Sequence, residues 1–219
     1  MDSSSLNRCV HSEVRPLTDG DCVAAATLLA SEFTYAFQRF SDCQQGDVEK
    51  FFHQKMKDSL SNSTASRFFV ATRLEHTDTA IDGILHLSLK LPRGRQLLAD
   101  LRDLSIFCHA FGTMPSIRCL GKLREIRSML TSPDRYQVAV CHIAVRPERR
   151  RIGIGRSLLL LTEDFARKLR KRELIADVRT DNTASRNLFS QSGYIETVLP
   201  PENSGPNGVG KSRFSRQLG

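Results

Sequence analysis

The sequence predicts an α/β chain in which helices flank a central sheet. Three observations carry that expectation. Val138 to Arg156, VAVCHIAVRPERRRIGIGR, runs from a β-branched stretch through an arginine-rich turn into an apolar helix. Ser66 to Leu74 and Ala80 to Leu91 read as a strand pair, and Leu174 to Val178 as a strand that follows a helix. At 219 residues, with 40% hydrophobic and 26% charged, the composition suits one domain with a substantial core. That domain is expected over 8–200, with 1–7 and 201–219 as flexible termini.

Taken in order, His11 to Leu17 suits a short edge strand, with Pro16 near its end. Asp19 is placed to cap a helix through Phe37, whose apolar set is Val23, Ala26, Leu29, Ala30 and Phe33. A second helix is expected from Asp47 to Leu60, displaying Val48, Phe51, Phe52 and Met56. Glu75 to Thr79 is the polar turn of the strand pair. Leu97 to Phe111 and Pro115 to Leu130 read as two further helices, which wall a pocket, pack, or form a homodimer surface. After Gly155 an apolar stripe of Leu158, Leu159, Leu161, Phe165, Ala166 and Leu169 predicts one buried helix face. Asp181 or Asn182 caps a helix that stops near Gly193, and Tyr194 to Leu199 returns as a strand.

Composition excludes several classes. No apolar stretch is long enough to span a bilayer, and MDSSSLNRC lacks the basic-then-apolar order of a secretory signal. The six cysteines form no CxxC pair, which argues against zinc or disulfide frameworks and for a reducing, cytoplasmic setting. The formal net charge of +8 raises nucleic acid as a partner. Yet the excess is local: Arg146 to Arg156 holds five arginines against one glutamate, and Arg167 to Arg172 adds five more cations. No zinc pattern, aromatic platform or base-reading motif accompanies them, which argues against nucleic-acid recognition.

The turn at Arg146 to Arg156 is the strongest feature. Pro147 closes the strand because it cannot donate to a ladder. Gly153 and Gly155 let the backbone turn or approach a ligand without a Cβ. The helix that follows directs free N–H groups and its positive dipole end at the arginines. Such a turn either holds a phosphate or pyrophosphate or is simply solvated. Neither GxxxxGK[ST] nor GxGxxG fits over it.

Arg150-Arg151-Ile152-Gly153-Ile154-Gly155 resembles the (Arg/Gln)-x-x-Gly-x-(Gly/Ala) signature of the GNAT superfamily, the acyl-CoA-dependent N-acyltransferases. Asn182-Thr183-Ala184-Ser185-Arg186-Asn187-Leu188-Phe189, then Ser192-Gly193-Tyr194, resembles that family's N-x-x-A-x-x-(L/F)-(Y/F)…G-(F/Y) segment, with Ser185 in place of the usual alanine. The resemblance covers roughly 136–198. It implies the GNAT-like fold, a central mixed twisted sheet flanked by helices. It also implies transfer of an acetyl or other acyl group from acetyl-CoA to a primary amine, directly and in a ternary complex. Arg150, Arg151, Ile152, Gly153, Ile154, Gly155 and Arg156 would form the pyrophosphate cradle. The backbone of Ile143 and Val145 would hold the pantetheine arm, with Asn182 beside it and Arg186 toward the nucleotide end or facing water.

Phe189 departs from the family, which often has there a tyrosine that protonates the thiolate. That departure keeps a noncatalytic acyl-CoA-binding module as the alternative. His142, which interrupts an apolar strand, is the candidate general base, or else a core histidine. Cys141 is expected to face the other way as a core thiol. Phe33 and Phe37 either pack the helices or line the acceptor pocket, with Glu32 and Glu49 nearby in sequence. The acceptor is a small amine or an amine on a peptide or protein. No metal site is expected.

Overall fold

In a computed structural model, the structure describes residues 8–9, 12–38, 42–62, 65–73, 80–112, 131–200 and 210–219. The turn expected at Glu75 to Thr79 and the helix expected over Pro115 to Leu130 lie outside these residues, as do 1–7 and 201–209. Eight strands form one sheet: β1 (Arg8–Cys9), β2 (Ser12–Pro16), β3 (Ser66–Arg73), β4 (Ile81–Leu89), β5 (Gln137–Val145), β6 (Glu173–Arg179), β7 (Ile195–Val198) and β8 (Lys211–Gln217). Their order is β1-β2-β3-β4-β5-β6-β8-β7. The β5–β6 pair is parallel and the others antiparallel, so the sheet is mixed as expected.

Two cores sandwich the sheet. On one face α1 (Cys22–Phe37) and α2 (Gln45–Ser61) bury Leu29, Val48, Phe52 and Met56 against Val70, Ile84 and Ala144. On the other, α4 (Ile154–Lys168) and α5 (Thr183–Gln191) bury Ile154, Leu158, Leu159 and Phe189 against Leu85, Leu87, Val138 and Val140. The stripe from Leu158 to Ala166 is therefore the face of α4 on the sheet, whereas Leu169, expected to belong to it, follows the helix end and is exposed. A further helix, α3 (Arg93–Phe111), joins the first layer through Phe107 and Phe111.

Three expectations need correction. Helix α1 is entered through a 3₁₀ turn at Asp19–Asp21, and the cap is Thr18. Thr18 gives both its N–H and its hydroxyl to Asp21, whose buried carboxylate also takes a forked bond from Arg15. The strand at Ser12–Pro16 is not the sheet edge, because β1 pairs outside it. Most consequentially, the loose tail expected over 201–219 does not hold for Lys211–Gln217. That segment is β8, inserted between β6 and β7, with Phe214 fully buried. Its alternation, apolar Phe214 amid Lys, Arg and Ser, is sparse, and the preceding Pro, Gly and Asn residues hide it. The sheet fixes it through non-local pairing that local composition does not carry.

Phe214→Ala should lower the urea-unfolding free energy by about 3–5 kcal/mol, the range for deleting a buried phenylalanine side chain. No change in the unfolding midpoint would mean that this segment is not part of the core.

Candidate active site

The site is built where β5 breaks its own rule. Val138 and Val140 face the α4 side, so strict alternation would put His142 and Ala144 there too. They face the opposite side: Ala144 packs in the α1/α2 core and His142 meets Phe33 and Phe52. The cause is a bulge. His86 pairs with His142 while Leu87 pairs with Val140, leaving Cys141 without a partner on β4. One extra residue reverses the faces of everything after it. Cys141 is a free thiol at that bulge, its pKa pushed up to about 12 by burial.

Beyond the same point β5 leaves its parallel neighbour. Their last paired residues are Ala139 and Ile175, although the strands continue to Val145 and Arg179. A wedge therefore opens between β5 and β6 along Val140–Val145, and among the described residues no strand pairs with that edge, Ile143 and Val145 included. An extended chain with its own donors and acceptors could add to that edge.

The arginine turn closes the end of the wedge. Pro147–Arg149 form a 3₁₀ turn, Arg151 and Gly153 adopt left-handed φ of 64° and 94°, and α4 starts at Ile154. The first helical bond is donated by Ser157 to the Gly153 carbonyl. Among the described residues, no acceptor faces the N–H groups of residues 151–156, Ile152, Gly153 and Ile154 included. Gly83 lets this helix end press onto the sheet: a Cβ there would lie 2.9 Å from Ile154 Cγ2. Gly155 lets α5 approach, since its Cβ would lie 3.1 Å from Leu188 Cδ2.

The arginines divide into two groups. Arg146 donates to the Ile81 carbonyl (2.6 Å), and Arg149 together with Arg73 engages the buried Asp82 carboxylate. Arg150 donates through Nε to the Val145 carbonyl (3.0 Å) and through Nη2 to Glu32 of α1 (2.6 Å). Arg151 and Arg156 make no hydrogen bond or ion pair among the described residues. Asn182 caps α5, its Oδ1 accepting from Ser185 N–H at 3.0 Å. Arg186 forks onto Glu196 (3.0 and 3.2 Å) and donates to the Thr180 carbonyl, so its guanidinium is occupied within the fold.

On the α1/α2 side, His142 sits under an aromatic layer. The Phe33 ring meets it edge-on at 4.7 Å and the Phe52 ring at 5.3 Å. Phe37 packs on Phe51, Phe52 and Phe111 and does not reach the imidazole directly. His142 Nδ1 lies 2.9 Å from Nδ1 of the buried His86, which stacks on Phe68 at 4.3 Å. Burial first, then the Lys55 charge, lowers His142 to about 4; burial, His142 and Lys55 lower His86 well below its ordinary value. His142 is thus neutral at pH 7, able to accept a proton but a weak base in the resting fold. Phe189 is buried against Tyr194 and Phe214, within the core of the opposite face.

Sequence reasoning missed His86 and Lys55, whose signal was only a polar residue in an apolar strand and a lysine in a helix. Tyr35 belongs to the aromatic stretch evident in the sequence, but its contact with Arg179 of β6, which lies over the ring at 5.5 Å, does not show there. With Glu32–Arg150, this contact ties α1 across the wedge.

Residues 107–194 match the Acetyltransferase (GNAT) family. The chain superposes on YncA of Salmonella typhimurium, solved with its cofactor acetyl-CoA, at 16% identity and TM-score 0.59, covering 95% of this chain and 94% of that one. The chain takes the GNAT fold. A GCN5-related N-acetyltransferase from Kribbella flavida gives 17% identity and TM-score 0.57, with 94% and 98% covered. Spermidine/spermine N-acetyltransferase SpeG from Vibrio cholerae gives 14% and 0.52, with 96% and 94% covered. No curated protein matches the sequence. In this GNAT fold the matched stretch contains the bulged strand, the arginine turn and the α4–α5 pair. No helix among the described residues is long and apolar enough to cross a membrane.

The histidine pair makes stability pH-dependent. Both imidazoles are held neutral in the fold and gain protons on unfolding, so the unfolded state binds more protons between the ordinary value of 6.5 and about 4. Stability should therefore fall as pH drops through that window. His142→Phe should flatten the dependence of the urea midpoint on pH there; an unchanged slope would place that proton uptake elsewhere.

Proposed function

We propose that the chain is an N-acyltransferase that moves an acetyl group from acetyl-CoA to a primary amine by direct transfer in a ternary complex. One observation carries the reading: the open edge of β5 leads directly into a helix N-terminus whose N–H groups face no acceptor among the described residues. The residues fit the donor. The free N–H groups of 151–156, the helix dipole and the unpaired Arg151 and Arg156 suit a pyrophosphate, while Val140–Val145 suit an amide-bearing arm. The acetyl-CoA complex of the similarly folded YncA supports the same donor.

Bound acetyl-CoA supplies an activated acyl carbon and a thiolate leaving group. The protein's tasks are to hold an amine beside that carbon, take its proton, and stabilise the charge that develops. His142 borders the wedge and faces the aromatic layer of Phe33 and Phe52, so it serves as the base that takes the amine proton at Nε2. Phe33 and Phe37 belong to that layer, Phe33 against His142 and Phe37 one ring further out. Proton donation to the thiolate does not come from Phe189, which has no hydroxyl and is packed in the core. The acceptor is an amine-bearing small molecule or an amine on a peptide or protein.

The loss of that hydroxyl also favours a second reading, a module that binds acyl-CoA without turnover. Release of free thiol from acetyl-CoA on addition of members of an amine library separates the two: acceptor-dependent release supports transfer, and binding without release supports the module. Gly153→Asp should weaken acetyl-CoA binding by roughly tenfold or more, because it places a side chain and a negative charge at the helix N-terminus. Calorimetry checks this. Wild-type affinity in that variant, or no binding by the wild type, would remove the turn from the reading.

A further inference from the structure

Resting on that reading, we propose that His86 is a positioning residue for His142: its Nδ1 accepts the His142 Nδ1 proton, leaving His142 Nε2 free to take one proton from the amine, so that the two rings act as a single-proton unit. Three observations lead there. The Nδ1 atoms lie 2.9 Å apart and the rings are within 6° of parallel, which suits an N–H···N bond and requires one proton between them. A proton on each Nδ1 would set two N–H groups head to head, and no proton would set lone pair against lone pair. The bulge at Cys141 creates the pair, since it turns His142 onto the face where His86 stands.

The third observation concerns His86 Nε2, which is buried and has no partner among the described residues. Nothing at that atom locks the ring into one tautomer: with the bridging proton on His142, neutral His86 carries its own proton on Nε2, and with the bridging proton on His86 the second proton sits on His142 Nε2. When the bridging proton resides on His142, that ring presents a bare Nε2. The amine then gives one proton to Nε2, and the resulting imidazolium keeps its Nδ1–H on a neutral His86, a charge-assisted bond. The pair gains one proton, the amine loses one, and no other group changes state. A second proton is opposed by the first, by burial and by Lys55 of α2. Lys55 is in turn held by Asp103 of α3 at 2.5 Å. The rings contributed by α1 and β3, Phe33 and Phe68, carry no charge. His86 is thus not a second base but the group that sets which nitrogen of His142 does the work.

The test uses two variants and one spectrum. His86→Phe keeps an aromatic ring against Phe68 and removes the acceptor. It should lower kcat by about 10²-fold, the scale of a lost general-base contribution, and leave the KM for acetyl-CoA unchanged. The acid limb of kcat/KM should also move to lower pH, because the imidazolium loses its partner. His86→Asn places Oδ1 where Nδ1 stood, one bond beyond Cγ, and should return both kcat and the limb toward wild type. A merely structural role would not move the limb or be rescued this way. In wild-type protein with ¹⁵N-labelled histidine, the imidazole shifts should show a single proton shared between the two Nδ1 atoms and uptake of one further proton on acidification. Wild-type kcat and pH profile in His86→Phe, or spectra showing both Nδ1 atoms protonated or both bare, would overturn the inference while the acyltransferase reading stood. Failure of the wild type to bind acetyl-CoA would overturn both.

Discussion

The fold turns on one extra residue. Without the bulge at Cys141, β5 would carry Val138, Val140, His142 and Ala144 on one face, against α4 and α5. The imidazole would then lie on the face covered by Leu158, Leu159 and Phe189, away from Phe33 and Phe52. The bulge sends it to the other face, beside His86 and beneath Phe33. It also coincides with the place where β5 and β6 part, since the last pair is Ala139 with Ile175. A bulged strand twists more strongly and disrupts its ladder locally, so the reversal of faces and the opening of the wedge are two results of one irregularity. The open strand edge and the candidate base are placed together by the same backbone event.

That coupling explains why some parts of the site were legible in the sequence and others were not. The arginine turn was legible because its information is local. Glycine at 153 matches a left-handed φ, Pro147 matches the end of a strand, and an apolar helical stripe follows. Asn182 as the cap of α5 was legible for the same reason. His142 could be singled out as a polar residue in an apolar strand, but its face could not be read, since a bulge has no composition of its own here. His86 was hidden among Ile84, Leu85 and Leu87, and its meaning depends on a strand 56 residues away. Strand β8 was unreadable for a related reason: it follows a Pro- and Gly-rich stretch, and only the open side of β6 gives it a place.

The positive charge of the turn also resolves into parts. Asp82 is buried on β4 and gathers Arg73 and Arg149, while Arg146 caps the Ile81 carbonyl and its N–H bonds the Asp82 carbonyl. These arginines fasten the turn to the sheet, and their charge is largely spent on the protein itself. A buried carboxylate needs such partners, because an unpaired charge in the interior is costly. The remaining cations, Arg151 and Arg156, have no such partner among the described residues. A run of five arginines is therefore a structural clamp interleaved with a small set proposed to face an anion, and counting charges alone would overstate the latter.

Arg150 stands between these groups, and its place decides how the two halves of the site communicate. Its Nε holds the Val145 carbonyl at the end of the open edge, while its Nη2 reaches Glu32 on α1. Both partners of the ion pair are partly exposed, so the pair contributes little to stability by itself. Its value is positional. Glu32 precedes Phe33, the ring that stands edge-on to His142, and Tyr35 three residues on lies against Arg179 of β6. Through these contacts the helix that covers the imidazole is tied to the turn on one side of the wedge and to β6 on the other. A change in what Arg150 touches would therefore reach the proposed base through less than one turn of α1, with no need for movement in the sheet.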